Sequence, residues 1–124
     1  MKKVISSPLA PAAIGPYSQA TEAAGLVFVS GQLPIDAATG DMPEGIEAQA
    51  RQSLLNIQHI LEAAGLTMSH IVKTTVYLQD MSLFGSMNSV YAPFFEGDYP
   101  ARAASAVKAL LKDALVEIEC IAAR

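Results

Sequence analysis

Two residues in the last quarter of the chain have types and surroundings suited to acid chemistry. Arg102 follows Tyr99-Pro100-Ala101 and has small apolar neighbours, while Glu119 lies in an otherwise apolar β run. A planar guanidinium can hold a carboxylate through two parallel hydrogen bonds. A carboxyl group among aliphatic residues is suited to taking and returning a proton. The pair indicates a site for a small acid, although a structural ion pair between the two is an equally good interpretation of these residues alone.

Other chemistries are poorly supported. His59 and His70 are distant from each other and from Cys120, and no CxxC, HxxxH or HxE spacing occurs. His59 is expected to be solvated and His70 to lie in a loop. No glycine motif for a nucleotide is present, so we expect neither a metal nor a cofactor. Strand parity is expected to bury Cys120 as an unreactive thiol, and Glu117 is interpreted as a solvated or interface charge.

Length and composition limit the class of protein. The 124 residues predict one domain, 1–124. Apolar residues make up 52% and charged residues 16%, so self-association is expected to cover excess apolar surface. A net charge of −4 argues against nucleic acid and anionic membrane as partners. The single cysteine fits a reducing compartment, and no leader or membrane-spanning segment is evident, so a soluble cytoplasmic protein is expected.

Hydrophobic spacing predicts an α+β domain with helices on one face of a sheet. The clearest element is a helix with an apolar stripe at three- and four-residue spacing, formed by Ile46, Ala50, Leu54, Ile57 and Leu61. Gly65 is expected to stop this helix, and Ser82 is expected to cap the second helix. Loops are expected over 10–17 and 33–45. The predicted elements are a strand over 26–30, a helix over 44–64, a strand over 71–78, a helix over 82–95, and strands over 102–107 and 115–122.

The last predicted strand has two distinct faces, because alternate side chains of a strand point in opposite directions. The face that we expect to pack against the helices carries Val116, Ile118, Cys120 and Ala122. The other carries Leu115, Glu117, Glu119 and Ile121, with the two glutamates roughly 7 Å apart along the strand. This second face mixes apolar and charged side chains, so we expect it to meet another subunit.

Six segments together resemble the YjgF/RidA family, in order and with their spacing intact from about residue 8 to 123. They are Ile14-Gly15-Pro16-Tyr17-Ser18-Gln19, Val29-Ser30-Gly31-Gln32-Leu33-Pro34, Ala50-Arg51-Gln52-Ser53-Leu54, Ile71-Val72-Lys73-Thr74-Thr75-Val76, Tyr99-Pro100-Ala101-Arg102 and Val116-Glu117-Ile118-Glu119.

The resemblance implies a chorismate-mutase-like α+β fold, with a mixed β-sheet and two helices packed on one face, in homotrimers with clefts between subunits. It implies cofactor-free hydrolysis of 2-imino acids, such as 2-iminobutanoate and 2-iminopropanoate, to 2-oxo acids and ammonia. Arg102 would anchor the substrate carboxylate, and Glu119 would position the attacking water and pass a proton to the departing nitrogen. The cleft would also be lined by Tyr17, Ser30, Gly31 and Asn88.

One position departs from many family members, which carry a cysteine where this chain has Ala104. The preferred imine therefore stays open, as does any partner protein. One alternative function is a non-catalytic module that binds 2-oxo acids. Another is an endoribonuclease, which the acidic charge and the lack of a basic, aromatic-rich face make less favoured.

Overall fold

The computed structural model describes residues 1–124 as a six-stranded mixed sheet with two helices on one face. The strands are β1 (Lys3–Ile5), β2 (Ala20–Ala23), β3 (Leu26–Gln32), β4 (Ile71–Leu78), β5 (Ala101–Ala106) and β6 (Val116–Ala123), and the helices are α1 (Ile46–Ala63) and α2 (Phe84–Tyr91). The strand order is β1-β2-β3-β6-β4-β5. Only β4 and β5 run parallel to each other. The predicted α+β fold is confirmed.

Helix α1 packs on β3 and β6 through the predicted apolar stripe. Leu54, Ile57 and Leu61 are fully buried, and burying each contributes about 1.5–3 kcal/mol. The helix ends where Gly65 adopts a φ of 77° and the N–H of Leu66 donates to the carbonyl of Leu61 at 2.9 Å. The stripe and the stop were both predicted correctly, although the helix begins two residues later than expected.

The two faces of β6 are as parity predicted. Val116, Ile118, Cys120 and Ala122 are buried beneath the helices. Leu115, just before the strand, and the alternate residues Glu117, Glu119 and Ile121 are partly exposed on the opposite side of the sheet. We call this second side the open face. Because no helix covers it, its charged side chains can take part in a site.

The second helix differs from the prediction in length and in its cap. Helix α2 is flanked by 3₁₀ turns at Met81–Leu83 and Ala92–Phe94. The expectation that Ser82 caps it is wrong, because the N–H of Ser82 instead donates to Oδ1 of Asp80 at 2.8 Å. Asp80 lies two residues after β4 in an extended conformation, so its carboxylate reaches an N–H group of the 3₁₀ turn that follows, as N-cap residues do. Neither helix has the length and apolar character needed to cross a membrane.

Two strands escaped the sequence patterns, and a third is longer than expected. Strands β1 and β2 are short and carry little β-branched alternation, so they are determined by pairing in the sheet, β1 with β2 and β2 with β3. A tight turn joins β2 to β3, with Ala24 and Gly25 at φ 54° and 76°. Strand β3 continues past the predicted end to Gln32, and this extension creates the first half of the site.

Candidate functional site

A β-bulge near the end of β3 brings three of the predicted residues together. Val29 pairs with Cys120 and Gln32 pairs with Ile118, so three steps along β3 match two along β6. Ser30 and Gly31 together therefore lie opposite Glu119. Bulges of this kind re-aim side chains and are common beside active sites.

Glu117 lies against the bulge as well. A Cβ on Gly31 would lie 2.8 Å from Oε2 of Glu117, so the missing side chain of the glycine leaves room for this carboxylate. Glu117 is only partly exposed. Its burial, together with the charge of Glu119, raises the pKa of its carboxyl. The sequence predicted a solvated or interface charge at Glu117, and the structure adds that Gly31 of the bulge lies against its carboxylate.

Glu119 is held by a neighbouring tyrosine. The hydroxyl of Tyr77 donates to Oε1 of Glu119 at 3.3 Å, and Tyr77 is itself in register with Glu117 on the adjacent strand. Burial, and then the charge of Glu119, raises the pKa of Tyr77, which keeps the phenol available as a donor. The two carboxylates and this hydroxyl form a polar cluster on the open face.

The loop before β2 completes this region. The hydroxyl of Ser30 donates to the carbonyl of Ser18 at 2.6 Å, which ties the bulge to the residue after Tyr17. Tyr17 is half exposed, and with Gly31 it lines a largely apolar cleft of about 980 Å³. We use the term bulge half-site for Tyr17, Ser30, Gly31, Glu117 and Glu119.

Buried polar side chains fix the loop that walls the cleft. Oε1 of Gln19 accepts the N–H of Ser7 at 2.6 Å, and its Nε2 donates to the carbonyls of Ser7, Ala10 and Pro11 at 3.1, 3.2 and 2.7 Å. Nδ1 of His59 is 3.1 Å from the carbonyl oxygen of Leu9. His59 is thus partly buried against this loop and not simply solvated, which the helical spacing could not reveal.

The second candidate region lies at the β5 edge. Arg102 is in register with Thr74, whose side chain is buried on the helix face. The guanidinium reaches α2, where its Nη1 donates to Oδ1 of Asn88 at 2.7 Å. Its Cζ lies 4.8 Å from the ring centroid of Tyr91 and 5.2 Å from that of Phe84. These four residues, Phe84, Asn88, Tyr91 and Arg102, form what we call the arginine half-site.

Arg102 has no carboxylate partner within the chain. The salt bridge that the structure contains joins Arg124 to Glu22 at 2.6 Å. An ion pair between Arg102 and Glu119, which the sequence left open, is therefore absent. The exposed guanidinium keeps most of its donors and its charge for a ligand carboxylate.

The two half-sites are separated within one chain. Arg102 faces the helices, whereas Glu117 and Glu119 lie on the open face. The bulge on β3 is three strand spacings from β5, or roughly 14 Å, and the two glutamates on β6 are two spacings from β5, or roughly 10 Å, on the other side of the sheet. A small acid held by Arg102 cannot reach either glutamate of the same chain. The predicted residues thus divide into Arg102 with Asn88, and Glu119 with Tyr17, Ser30 and Gly31.

The contacts and burial of His70 and Cys120 indicate structural roles and not chemical ones. Nδ1 of His70 accepts the N–H of Thr67 at 3.0 Å in a 3₁₀ turn. Burial raises the pKa of Cys120 to about 12, as expected for an unreactive thiol. Ala104 is partly buried, two residues after Arg102 on the same strand. No cluster of three histidine, cysteine or acidic side chains is close enough to hold a metal ion.

Comparisons with known proteins agree along the whole chain. A family model described as Endoribonuclease L-PSP matches residues 7–124. A mouse protein named 2-iminobutanoate/2-iminopropanoate deaminase is 48% identical over 123 residues, covering 98% of this chain and 91% of its own. The crystal structure of the Escherichia coli YjgF gene product superimposes with a TM-score of 0.96 at 46% identity, covering 98% of both chains. That of E. coli TdcF with bound serine gives 0.95 at 43%, again covering 98% of both.

Proposed function

The chain belongs to the YjgF/RidA family, and from this premise we propose that it hydrolyses 2-imino acids to 2-oxo acids and ammonia. 2-Iminobutanoate and 2-iminopropanoate, after which the mouse relative is named, are the expected substrates. The observation that carries the proposal is the free guanidinium of Arg102, held by aromatic rings with no carboxylate partner. Such a group is suited to a small carboxylic acid.

The complete site requires two copies of the chain. The arginine half-site of one copy would meet the bulge half-site of the next, since neither can reach the other within one chain. Contact between two different surfaces of identical chains is heterologous and closes into a ring when the rotation allows it. A homotrimer with three shared clefts satisfies this geometry. The mixed open face and its exposed Phe28 support such burial.

The chemistry needs no cofactor, because a protonated imine is already a strong electrophile. Arg102 of one copy holds the carboxylate, which fixes the imine carbon for attack. A water oxygen from the bulge half-site forms the new C–O bond while a glutamate takes the water proton. The same glutamate returns that proton to nitrogen and then accepts the remaining hydroxyl proton as the C–N bond breaks and the C=O bond of the 2-oxo acid forms. The departing ammonia takes up this last proton and leaves as ammonium, which restores the ionised glutamate.

Two glutamates compete for the proton-transfer role. The sequence pointed to Glu119, which is held by Tyr77 at 3.3 Å. The geometry favours Glu117, because its carboxylate lies directly beneath Gly31 and its pKa is raised by burial. A carboxyl whose pKa is raised above its ordinary value is suited to proton exchange near neutral pH. We therefore assign the proton-transfer role to Glu117. The negative charge of Glu119 helps to raise the pKa of the Glu117 carboxyl.

The activity is tested by generating 2-iminobutanoate in situ and trapping it with semicarbazide, with and without this protein. We expect the protein to suppress semicarbazone formation and to accelerate 2-oxobutanoate release. An unchanged rate of trapping at micromolar protein contradicts the proposal. Glu117→Gln and Glu119→Gln keep side-chain size but cannot cycle a proton, and Glu117→Gln is expected to cause the larger loss. A larger loss in Glu119→Gln reassigns the proton to Glu119.

The same variants distinguish an enzyme from a sensor. A non-catalytic 2-oxo acid-binding module would share Arg102 with an enzyme, but it would not need a proton-transfer group. If calorimetry shows that Glu117→Gln still binds 2-oxobutanoate while imine hydrolysis falls, catalysis is supported. The endoribonuclease alternative is less favoured, because the chain is acidic and both histidines make structural hydrogen bonds. The unpaired Cys120 supports a cytoplasmic location.

A further inference from the structure

We propose that Tyr91 and Phe84 are positioning residues that hold the Arg102 guanidinium in the orientation that receives the substrate carboxylate. The identity of that ligand rests on the proposed function, but the ordering of the arginine does not. An arginine on an exposed strand edge is ordinarily free to sample many rotamers. Here three side chains of one helix restrain it, and each restraint is visible in the geometry.

The aromatic contacts come from one face of α2. Phe84, Asn88 and Tyr91 stand at i, i+4 and i+7, so all three point the same way. The two ring centroids lie 5.2 and 4.8 Å from Cζ of Arg102, within the range of a cation–π contact. Asn88 accepts a hydrogen bond from Nη1 at 2.7 Å. The rings therefore restrain the plane of the guanidinium, and the amide restrains its rotation within that plane.

A closed set of contacts makes this arrangement rigid. Thr74 is the neighbour of Arg102 in the sheet, and its Oγ1 is 2.7 Å from the hydroxyl oxygen of Tyr91. Tyr91 in turn contacts the guanidinium, so strand, tyrosine and arginine form a triangle. The Tyr91 ring is buried and lies 4.8 Å, centroid to centroid, from Phe95 in the core. The position of the charged group is thereby tied to the packed interior.

Such preorganisation matters because the arginine would otherwise lose conformational freedom on binding a ligand. With the rings on the guanidinium and one N–H donated to Asn88, the other donors stay free for a carboxylate. Removing a ring should leave the charge in place but let the side chain move. The expected result is weaker binding of the acid and a higher KM, with kcat changed much less.

The experiment compares Tyr91→Leu and Phe84→Leu with Phe94→Leu, a control that removes a half-buried aromatic ring after α2 with no contact to Arg102 in the structure. Calorimetry with 2-oxobutanoate should show roughly tenfold weaker binding in the first two variants, from the loss of a cation–π contact. Phe94→Leu should bind as the unaltered protein does. Tyr91→Phe keeps the ring and loses only the hydroxyl contact with Thr74, so it should retain most of the affinity that Tyr91→Leu loses.

A second measurement separates this inference from the proposed function. The NMR order parameter of the Arg102 Nε–H, recorded without ligand, should be high in the unaltered protein and should fall in Phe84→Leu. The order parameter tests the position of Arg102 even if the protein binds no 2-oxo acid. Absence of 2-oxo acid binding would contradict the proposed function but not this inference. An Arg102 Nε–H that is equally ordered in folded Phe84→Leu and Tyr91→Leu overturns the inference. If Tyr91→Leu fails to fold, Phe84→Leu decides alone.

Discussion

The arginine half-site and the bulge half-site position their charged side chains in different ways. The arginine half-site joins a regular helix to a regular strand, and side-chain contacts position its exposed charge. The bulge half-site depends on irregular backbone: an extra residue in β3 and a loop tied down by Ser30 and Gln19. There a glutamate occupies the space that a missing side chain leaves open.

In the proposed mechanism, the arginine half-site binds the substrate and the bulge half-site transfers the proton. An exposed guanidinium suits a group that must meet a charged acid from solution. A partly buried carboxyl suits proton exchange, because burial raises the pKa towards neutrality. Placing both groups next to each other in one chain would let them pair and neutralise each other. Separating them on opposite faces of the sheet avoids this pairing, and the proposed active site then depends on association of two copies.

The strongest test of this separation is complementation between two inactive chains. Arg102→Leu destroys one half-site, and the double variant Glu117→Gln with Glu119→Gln destroys the other. Mixed trimers contain one intact cleft, so random 1:1 assembly should recover about a quarter of the unaltered activity. Imine hydrolysis by co-expressed chains is the measurement. Mixed trimers confirmed by mass spectrometry but lacking activity would show that the site is not shared in this way.

Arg102→Lys tests whether the arginine half-site needs the planar guanidinium or only its positive charge. Lysine keeps the charge but lacks the planar fork that matches a carboxylate and stacks between rings. We expect kcat/KM for imine hydrolysis to fall roughly tenfold to a hundredfold, from the loss of one charge-assisted hydrogen bond. Circular dichroism should show an unchanged fold. Near-normal turnover would exclude the anchoring role of Arg102.

Gly31→Ala addresses the bulge half-site without changing any charge. The new Cβ would lie 2.8 Å from Oε2 of Glu117, so the flexible end of the glutamate must move. The φ of Gly31 is not in the left-handed region, so the backbone accepts alanine and stability should change little. We expect activity to fall about tenfold from misplacement of the carboxyl. Unchanged kinetics would show that the position of Glu117 is unimportant.

The stability of Glu117→Gln should depend on pH in a defined direction. A carboxyl whose pKa is raised in the folded state binds protons more tightly there, so its stabilising effect is present at low pH and is lost as pH rises through the folded pKa. Glutamine does not titrate. The variant should therefore gain stability relative to the unaltered protein between acidic and neutral pH, as measured by urea unfolding. A pH-independent difference would contradict the raised pKa.

The smallest effect is expected at Cys120. Its thiol is buried and its pKa is raised to about 12, so little thiolate exists at neutral pH. Brief treatment of the native protein with iodoacetamide should leave imine hydrolysis unchanged, and Cys120→Ala should cost only modest stability. Inactivation that follows labelling of Cys120, and that 2-oxobutanoate prevents, would mean that the strand register is wrong by one residue. Glu119 would then leave the open face as well.

The limits of sequence-based prediction are clear from β6 and β3. Alternation of apolar residues predicted both faces of β6, because side-chain direction in a strand is a local property. The bulge in β3 has no local signature of comparable strength, since it depends on how β3 and β6 pair across about 90 residues of sequence. Glu117 was consequently predicted to be a solvated or interface charge and not a site residue, although its neighbour Gly31 was already among the predicted site residues.

Residue types and short-range patterns were enough to identify the family, the helix stripe and stop, the parity of the last strand and Arg102 as a candidate carboxylate-binding residue. These follow from residue type, short-range periodicity and motif order, which need no knowledge of long-range contacts. The tertiary structure was needed to show which residues surround Arg102 and which carboxyl lies beneath the bulge. It also showed that the guanidinium and this carboxyl lie on opposite faces of the sheet. Those relations arise from strand order and register, which are set by packing across the whole sheet and not by any single segment.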